Sequence, residues 1–234
     1  MTRDDDHPSP PNEPRSPDIR PAIIFDLDGT LADTLDDITD AVNELLGAIG
    51  RPLVKTDDMR GLIGEGLPIL IQRASGISDS DVIAELVDRY RPVYTSRMLR
   101  KTRLYPGIEG LLDALTAADV AMCVLSNKPH VYTLPICDAL LSRWPFVRCC
   151  GHTDGYQRKP DPTKAVELAG AMGRKPCDTM FVGDSTVDIA TARAAGMRSV
   201  AVTWGFRRRA ELLAAEPDQL IDEPMALVNL VGPT

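Results

Sequence analysis

Five short apolar runs constrain the fold of this chain more than any other feature of its sequence. The runs are AIIF, AMCVLS, FVRCC, TMFVG and SVAVTW, at residues 22–25, 121–126, 146–150, 179–183 and 199–204. Nearly every residue in them is apolar, which is typical of strands that are covered on both faces. Helix-like stretches separate the later runs, and this alternation predicts an α/β protein with a parallel sheet and right-handed crossovers.

The first and second runs are separated by residues 26–120, a segment far too long for one crossover connection. Its central part carries only helical patterns. Helices are predicted over residues 35–50, with apolar Ile38, Val42, Leu45, Leu46 and Ile49 on one face, over residues 66–75, and over residues 78–98, with Val82, Leu86 and Val87 on the buried face. We therefore predict an all-helical cap domain at residues 34–103, inserted into a core domain of residues 21–33 and 104–234.

Composition sets the remaining bounds. Residues 1–20 are rich in proline and acidic residues and poor in apolar ones, so we expect a disordered tail there. The chain has 26 Lys and Arg against 34 Asp and Glu, a formal charge of −8, which disfavours nucleic acid and anionic membranes as partners. No apolar run could span a bilayer and no signal peptide is recognisable, so we expect a cytoplasmic protein. It could be a monomer or a homodimer.

Polar side chains follow four of the predicted strands, in the loops where ligands of open parallel sheets bind. Taken singly, each has a structural interpretation, such as a helix N-cap, an Asx-turn or a solvated loop residue. Together, four loops that bring acids, a hydroxyl and an amine to one edge of the sheet indicate a functional site. These residues are Asp26, Asp28, Ser126, Asn127, Lys159, Asp184 and Asp188.

Four motifs that contain these residues, DLDGTLADT, LSNK, RKPDP and GDSTVD, occur in this order along the chain. They resemble the sequence motifs of the haloacid dehalogenase superfamily, in its phosphatase branch. The resemblance runs from the first strand to the C-terminus. It implies a Rossmann-like core with a helical cap inserted after the first motif, which is where the helical segment lies.

The resemblance assigns roles to the acids. It implies that Asp26 attacks the phosphoryl group and becomes an aspartyl-phosphate, and that Asp28 protonates the leaving alcohol and then activates water. Two like charges about 4 Å apart repel by roughly 4 kcal/mol at an effective dielectric near 20, so an anionic nucleophile needs a cation. The resemblance implies Mg²⁺, held by Asp26, Asp184 and the backbone carbonyl of Asp28 and oriented by Asp188.

Further residues are expected to bind the substrate, a small phosphorylated molecule. The resemblance implies that Thr30, Ser126, Asn127 and Lys159 bind the phosphoryl oxygens. In the predicted cap, the stretch RGLIGEGLPILIQRA is either a turn between helices or a loop that presents Gly64, Glu65 and Gly66 to an anionic group. This stretch is similar to phosphoglycolate phosphatases, which makes 2-phosphoglycolate the best candidate substrate.

Several alternatives stay open. Relatives that cleave pyrophosphate or nucleotides share much of the pattern. A sugar phosphomutase similar to β-phosphoglucomutase typically has a hinge histidine where this chain has Ile38, so hydrolysis is favoured. A non-catalytic phosphate sensor is disfavoured, because a binding protein gains nothing from a strained nucleophile. The three arginines of WGFRRRAEL either contact substrate or, as the favoured interpretation, begin a solvated helix.

Overall fold

The computed structural model describes residues 21–232, so the predicted tail at residues 1–20 lies outside the described residues. The sheet strands are β1 (Ala22–Phe25), β4 (Met122–Pro129), β5 (Phe146–His152), β6 (Thr179–Gly183), β7 (Arg198–Val202) and β8 (Gln219–Ile221). They form one sheet in the order β5-β4-β1-β6-β7-β8, and every neighbouring pair is parallel. The predicted α/β class with a Rossmann-like parallel sheet is confirmed.

Helices cover both faces of this sheet. The α-helices of the described chain are α1 (Leu35–Ala48), α2 (Thr56–Met59), α3 (Leu67–Ser75), α4 (Ser80–Thr95), α5 (Ile108–Ala117), α6 (His130–Leu141), α7 (Thr163–Ala171), α8 (Thr186–Ala195) and α9 (Arg209–Ala214). Alternate residues of β1 point to opposite faces. Ile23 and Phe25 belong to the cluster that contains α5 and α6, whereas Ala22 and Ile24 belong to the cluster that contains α7 and α8.

Two details of the predicted sheet differ from the structure. The strand β8 was missed because it has only three residues, two of them half-buried. The strand β5 was expected to be covered on both faces, but it lies at the edge of the sheet, and Val147 on it is 45% exposed. Hydropathy alone does not tell an edge strand from a central one, because strand order is set by tertiary packing.

The segment between β1 and β4 is helical, apart from two short strands that stand where it leaves and rejoins the core. The strands β2 (Ala32–Asp33) and β3 (Arg103–Leu104) pair antiparallel. The predicted division at residues 33/34 and 103/104 falls at these strands, and the domain assignment itself stays a prediction. Below, "cap" denotes residues 34–103 and "core" the rest of the described chain.

The helices of the cap pack around their own apolar cluster. In α1 the predicted face is buried for Ile38, Val42, Leu45 and Leu46. In α4 Leu86 and Val87 are buried as predicted, but Val82 is 39% exposed and the next residue, Ile83, is buried in its place. The true stripe is Ile83, Leu86, Val87, Tyr90 and Tyr94, with helical spacing of three and four residues. This stripe therefore places two tyrosines in the interior of the cap.

No helix within residues 21–232 is long and apolar enough to cross a membrane.

Candidate active site

The site lies where the parallel strands end, because the register of the sheet brings the ends of β1, β4 and β6 side by side. The backbone N–H of Asp26 continues the ladder by donating to the carbonyl of Val182 at 2.9 Å. Gly29 then turns the chain with φ of 85°, and a Cβ atom there would lie only 2.4 Å from Asp184 Oδ2. Glycine is thus required at this position both by the turn and by the approach to Asp184.

Three buried carboxylates meet at this point. Asp26, Asp184 and Asp188 each place one carboxylate oxygen within 4.8 Å of the other two. The pKa of Asp26 is raised to about 7, mainly by burial, with Lys159 opposing the shift and the neighbouring Asp188 adding to it. Burial, together with Asp188 and Asp26, raises the pKa of Asp184 to about 8. Such a cluster is costly when ionised unless a cation balances it.

A divalent cation fits this cluster. The donors are carboxylate oxygens, which a hard cation such as Mg²⁺ prefers. Asp26 Oδ1 is buried without a hydrogen bond, although Lys159 Nζ lies 2.9 Å away as an ion pair. One ammonium group therefore faces three carboxylates, so a further positive charge would be needed to balance the cluster. The predicted ligands Asp26 and Asp184 are in the cluster, and Asp188, expected to act through them, is equally close.

Asp188 is held in place by its own helix and by Lys159. It closes a capping box at the start of α8, in which its carboxylate accepts from the Ser185 backbone N–H at 3.1 Å. The same oxygen also accepts from the Ser185 hydroxyl at 2.6 Å. Its other oxygen accepts from Lys159 Nζ at 2.6 Å. Burial lowers the pKa of Lys159, but the carboxylates of Asp188 and Asp26 outweigh it and raise this pKa, so the lysine stays protonated.

Asn127 connects the loops around the site. Its amide nitrogen donates to the carbonyls of Gly64 and Lys159, each at 3.0 Å, and its oxygen accepts from the Lys159 N–H at 2.8 Å. The side chain thus fixes Lys159 in the core and touches the glycine-rich loop of the cap. Phosphate binding by Asn127 stays a prediction, and in this structure both N–H groups of its amide are used by backbone carbonyls. Ser126 beside it lines the cavity described below.

The carboxylate of Asp28 is not one of the three acids of the cluster and has partners of its own. Its Oδ1 accepts from the Thr34 hydroxyl at 2.6 Å and from Lys128 Nζ at 2.8 Å, and Nζ is 3.1 Å from Oδ2. The ammonium group of Lys128 also lies 4.9 Å from the centre of the Tyr94 ring. The sequence interpretation gave Lys128 no role, although the residue is the last letter of the motif LSNK.

The cap and the core close over these residues. Arg207, after β7, donates to the carbonyl of Ile63 at 2.6 Å and to that of Arg60, while Arg60 donates to the carbonyl of Gly205 at 3.1 Å. The favoured interpretation of the arginine run was a solvated helix start, and Arg208 directly precedes α9. Arg207 lines the cavity, and contact of an arginine with substrate stays a prediction.

The cavity at this site is partly open to solvent and has a volume of about 60 Å³, enough for a few water molecules. Its polar end is formed by the acids and by Lys159. The opposite wall is mostly apolar and aromatic, and comes largely from the cap. That wall is formed by Ile38, Ile63, Leu67, Leu70, Tyr90, Tyr94, Tyr132 and Phe206.

Comparison with known proteins decides the family. A family model described as haloacid dehalogenase-like hydrolase matches residues 23–202, most of the chain. The chain belongs to this family. It is therefore a hydrolase whose four motifs meet in one site, as the resemblance implied.

The relatives of this hydrolase agree with one another. It is 35% identical over 214 residues to a phosphoglycolate phosphatase of Agrobacterium fabrum, across 89% of this chain and 91% of the relative. It is 34% identical to phosphoglycolate phosphatase 1 of Pseudomonas aeruginosa, across 86% of this chain and 75% of the relative. A candidate phosphoglycolate phosphatase from Lactobacillus delbrueckii subsp. bulgaricus superposes with a TM-score of 0.86 at 27% identity, across 92% of this chain and 100% of that structure.

Not every residue that the sequence proposed for this hydrolase lies in the cavity. Gly64 and Gly66 line it, whereas the side chain of Glu65 turns away and pairs with Arg73 at 2.6 Å. Thr30 is buried behind Asp184, with its hydroxyl 3.5 Å from Asp184 Oδ1. The structure thus places the glycines of the cap loop, but not the Glu65 carboxylate, along the cavity, and the Thr30 hydroxyl contacts Asp184. Phosphate binding by Thr30 stays a prediction.

Proposed function

We propose that this protein is a Mg²⁺-dependent phosphatase that hydrolyses a small phosphomonoester, with 2-phosphoglycolate as the best candidate. The observation that carries the proposal is the position of Asp26, a buried carboxylate of the acid cluster that pairs with Lys159 and lines the cavity. The names of the relatives support the substrate, since they are phosphoglycolate phosphatases.

The residues of the acid cluster would hold the metal ion. Asp26 and Asp184, with the backbone carbonyl of Asp28, are its proposed ligands, and Asp188 is close enough to orient them or to join them. The bound ion would neutralise the charge of the phosphoryl group. Asp26 attacks phosphorus, and the bond from phosphorus to the ester oxygen breaks as the aspartyl-phosphate forms.

The remaining residues fix the reacting groups and move the proton. Lys159, protonated and held by Asp188, binds the phosphoryl oxygens together with Ser126. Asp28, on the leaving-group side, gives a proton to the ester oxygen and later takes one from the water that cleaves the aspartyl-phosphate. Thr34 holds the Asp28 carboxylate in this position at 2.6 Å. Apolar residues of the cap exclude bulk water from the intermediate.

The experiment that tests this function is release of inorganic phosphate from a panel of small phosphomonoesters, pyrophosphate and nucleotides, with Mg²⁺ or with EDTA. We expect metal-dependent release, with the highest kcat/KM on 2-phosphoglycolate and none from the Asp26→Asn variant. A peak on another compound would keep the chemistry and overturn the substrate. Release of little phosphate, with turnover of a sugar phosphate that needs a bisphosphate primer, would indicate the mutase instead. The cytoplasmic location and the monomeric or dimeric state stay predictions.

A further inference from the structure

We propose that Lys128 and Tyr94 form a binding site for the negatively charged group of the leaving alcohol. The enzyme would then select phosphomonoesters that carry a carboxylate close to the ester oxygen. This inference rests on the proposed phosphatase function and adds the residues that choose the leaving group. Neither residue was given a role by the sequence.

Lys128 is the cation on the leaving-group side of the cavity. Three cations line the cavity in the described part of the chain, namely Lys128, Lys159 and Arg207. Lys159 is bound by the acids of the phosphoryl end, and Arg207 is used by carbonyls of the cap. Lys128 pairs with Asp28, the proposed proton donor to the leaving oxygen. A group attached to that oxygen would therefore lie next to the ammonium group of Lys128.

Tyr94 provides an independent sign of a ligand. The residue is 1% exposed, it lines the cavity, and its hydroxyl is buried without a hydrogen-bond partner among the described residues. A buried hydroxyl without a partner is unfavourable, and a ligand oxygen in the cavity would supply one. Burial, and then the carboxylates of Asp28 and Asp37, raise the pKa of Tyr94, so the phenol keeps its proton and can donate.

The charge of Lys128 explains why the ligand group should be an anion. The side chain of Lys128 is only 5% exposed, and its ammonium group lies 2.8 and 3.1 Å from the two carboxylate oxygens of Asp28. An ammonium group has three N–H donors, so Lys128 can bind a second acceptor in the cavity besides Asp28. A carboxylate on the leaving group would accept a charge-assisted hydrogen bond from this ammonium, whereas a neutral alcohol would accept only a weaker one.

The test compares two substrates of the same size, 2-phosphoglycolate and 2-hydroxyethyl phosphate, in which a hydroxymethyl group replaces the carboxylate. We expect the wild-type protein to prefer the carboxylate, measured as the ratio of the two kcat/KM values. Lys128→Met should reduce this ratio about 10- to 100-fold, because a charge-assisted hydrogen bond is lost. Tyr94→Phe should reduce it about fivefold, because the phenol donates a stronger hydrogen bond to a carboxylate than to a hydroxymethyl group.

Controls separate this site from a general effect on the enzyme. Lys164→Met and Tyr156→Phe change the same residue types outside the cavity and should leave the ratio unchanged. Affinity for both compounds, measured by calorimetry in an Asp26→Asn background, should change in the same sense as the ratio. If Lys128→Met does not fold, as judged by its thermal melt, Tyr94→Phe and Lys128→Arg carry the comparison.

The possible results differ for the site and for the function. If the variants lose both substrates equally, or if the wild-type protein does not distinguish the substrates, the binding site is overturned and the phosphatase function stands. If the wild-type protein releases phosphate from no compound in the panel, the proposed function fails, and the site falls with it. A selective loss on 2-phosphoglycolate supports both.

Discussion

A conservative change of Asp28 should remove proton transfer and leave the fold of the protein intact. Asp28→Asn keeps the size of the side chain and removes the carboxylate that gives and takes the proton. We expect kcat to fall by about 10²- to 10⁴-fold, the usual contribution of general acid–base catalysis. Asp33→Asn, a nearby acid that pairs with Arg103 outside the cavity, is the matched control and should stay within a few-fold. A rate close to that of the wild type in Asp28→Asn would contradict the assigned role.

At the scale of elements, Arg207 connects the loop after β7 to the cap loop, residues 60–66. Its side chain donates to two carbonyls of this loop, at Arg60 and Ile63, and so holds the loop against the core. Arg207→Ala should raise KM about tenfold, since about 1.4 kcal/mol of closing energy corresponds to a factor of 10. Amide exchange at residues 60–66 should become faster, because the cap loop loses its partner.

Arg208→Ala is the control for this change, because Arg208 is exposed and follows Arg207 directly. It should leave both KM and amide exchange unchanged. Equal exchange in the Arg207→Ala variant and the wild-type protein would show that Asn127 and the apolar wall are enough to hold the cap loop.

At the scale of the whole molecule, the buried acids link stability to pH and to metal. The pKa of Asp26 is raised to about 7 and that of Asp184 to about 8, above the usual value near 4 for an unfolded chain. Raised pKa values of acids contribute stability below that usual value, and the contribution is lost as pH rises through the folded-state pKa. The metal-free protein should therefore lose part of its stability between about pH 4 and pH 8.

Metal should restore that loss. We expect the increase in Tm on adding excess Mg²⁺ to be larger at about pH 8.5 than at about pH 6, because protons compete with the metal for the same oxygens. Thermal melts with Mg²⁺ and with EDTA at both pH values measure it. Asp184→Asn should remove most of the increase. Asp218→Asn is the control and should retain it, because the Asp218 carboxylate lies outside the cavity and accepts from the N–H and hydroxyl of Ser199. An increase that is the same at both pH values would contradict the cluster as the metal site.

The sequence by itself determined the sheet, most of its strands and the chemistry at its edge. Continuous apolar runs identified β1 and β6 to the residue, because a strand buried on both faces leaves little choice of residue type. The same runs left the order of the strands open, and β5 was taken for a central strand. Motif residues lie at strand ends, so a parallel sheet alone was enough to predict that Asp26, Asp184 and Asp188 meet.

Only the tertiary structure decided which groups meet across the cap and the core. Lys128 pairs with Asp28 one hundred residues away, Arg207 closes the cap loop, and Tyr94 faces the cavity from α4. The sequence left open whether the glycine-rich loop is a turn between helices or reaches the site, and only the structure shows that Gly64 and Gly66 line the cavity. Local pattern sets which residues are apolar or polar within one element. The partner of each polar side chain is set by packing between elements that are distant in sequence. The hydrophobic periodicity of one element carries no information about this packing.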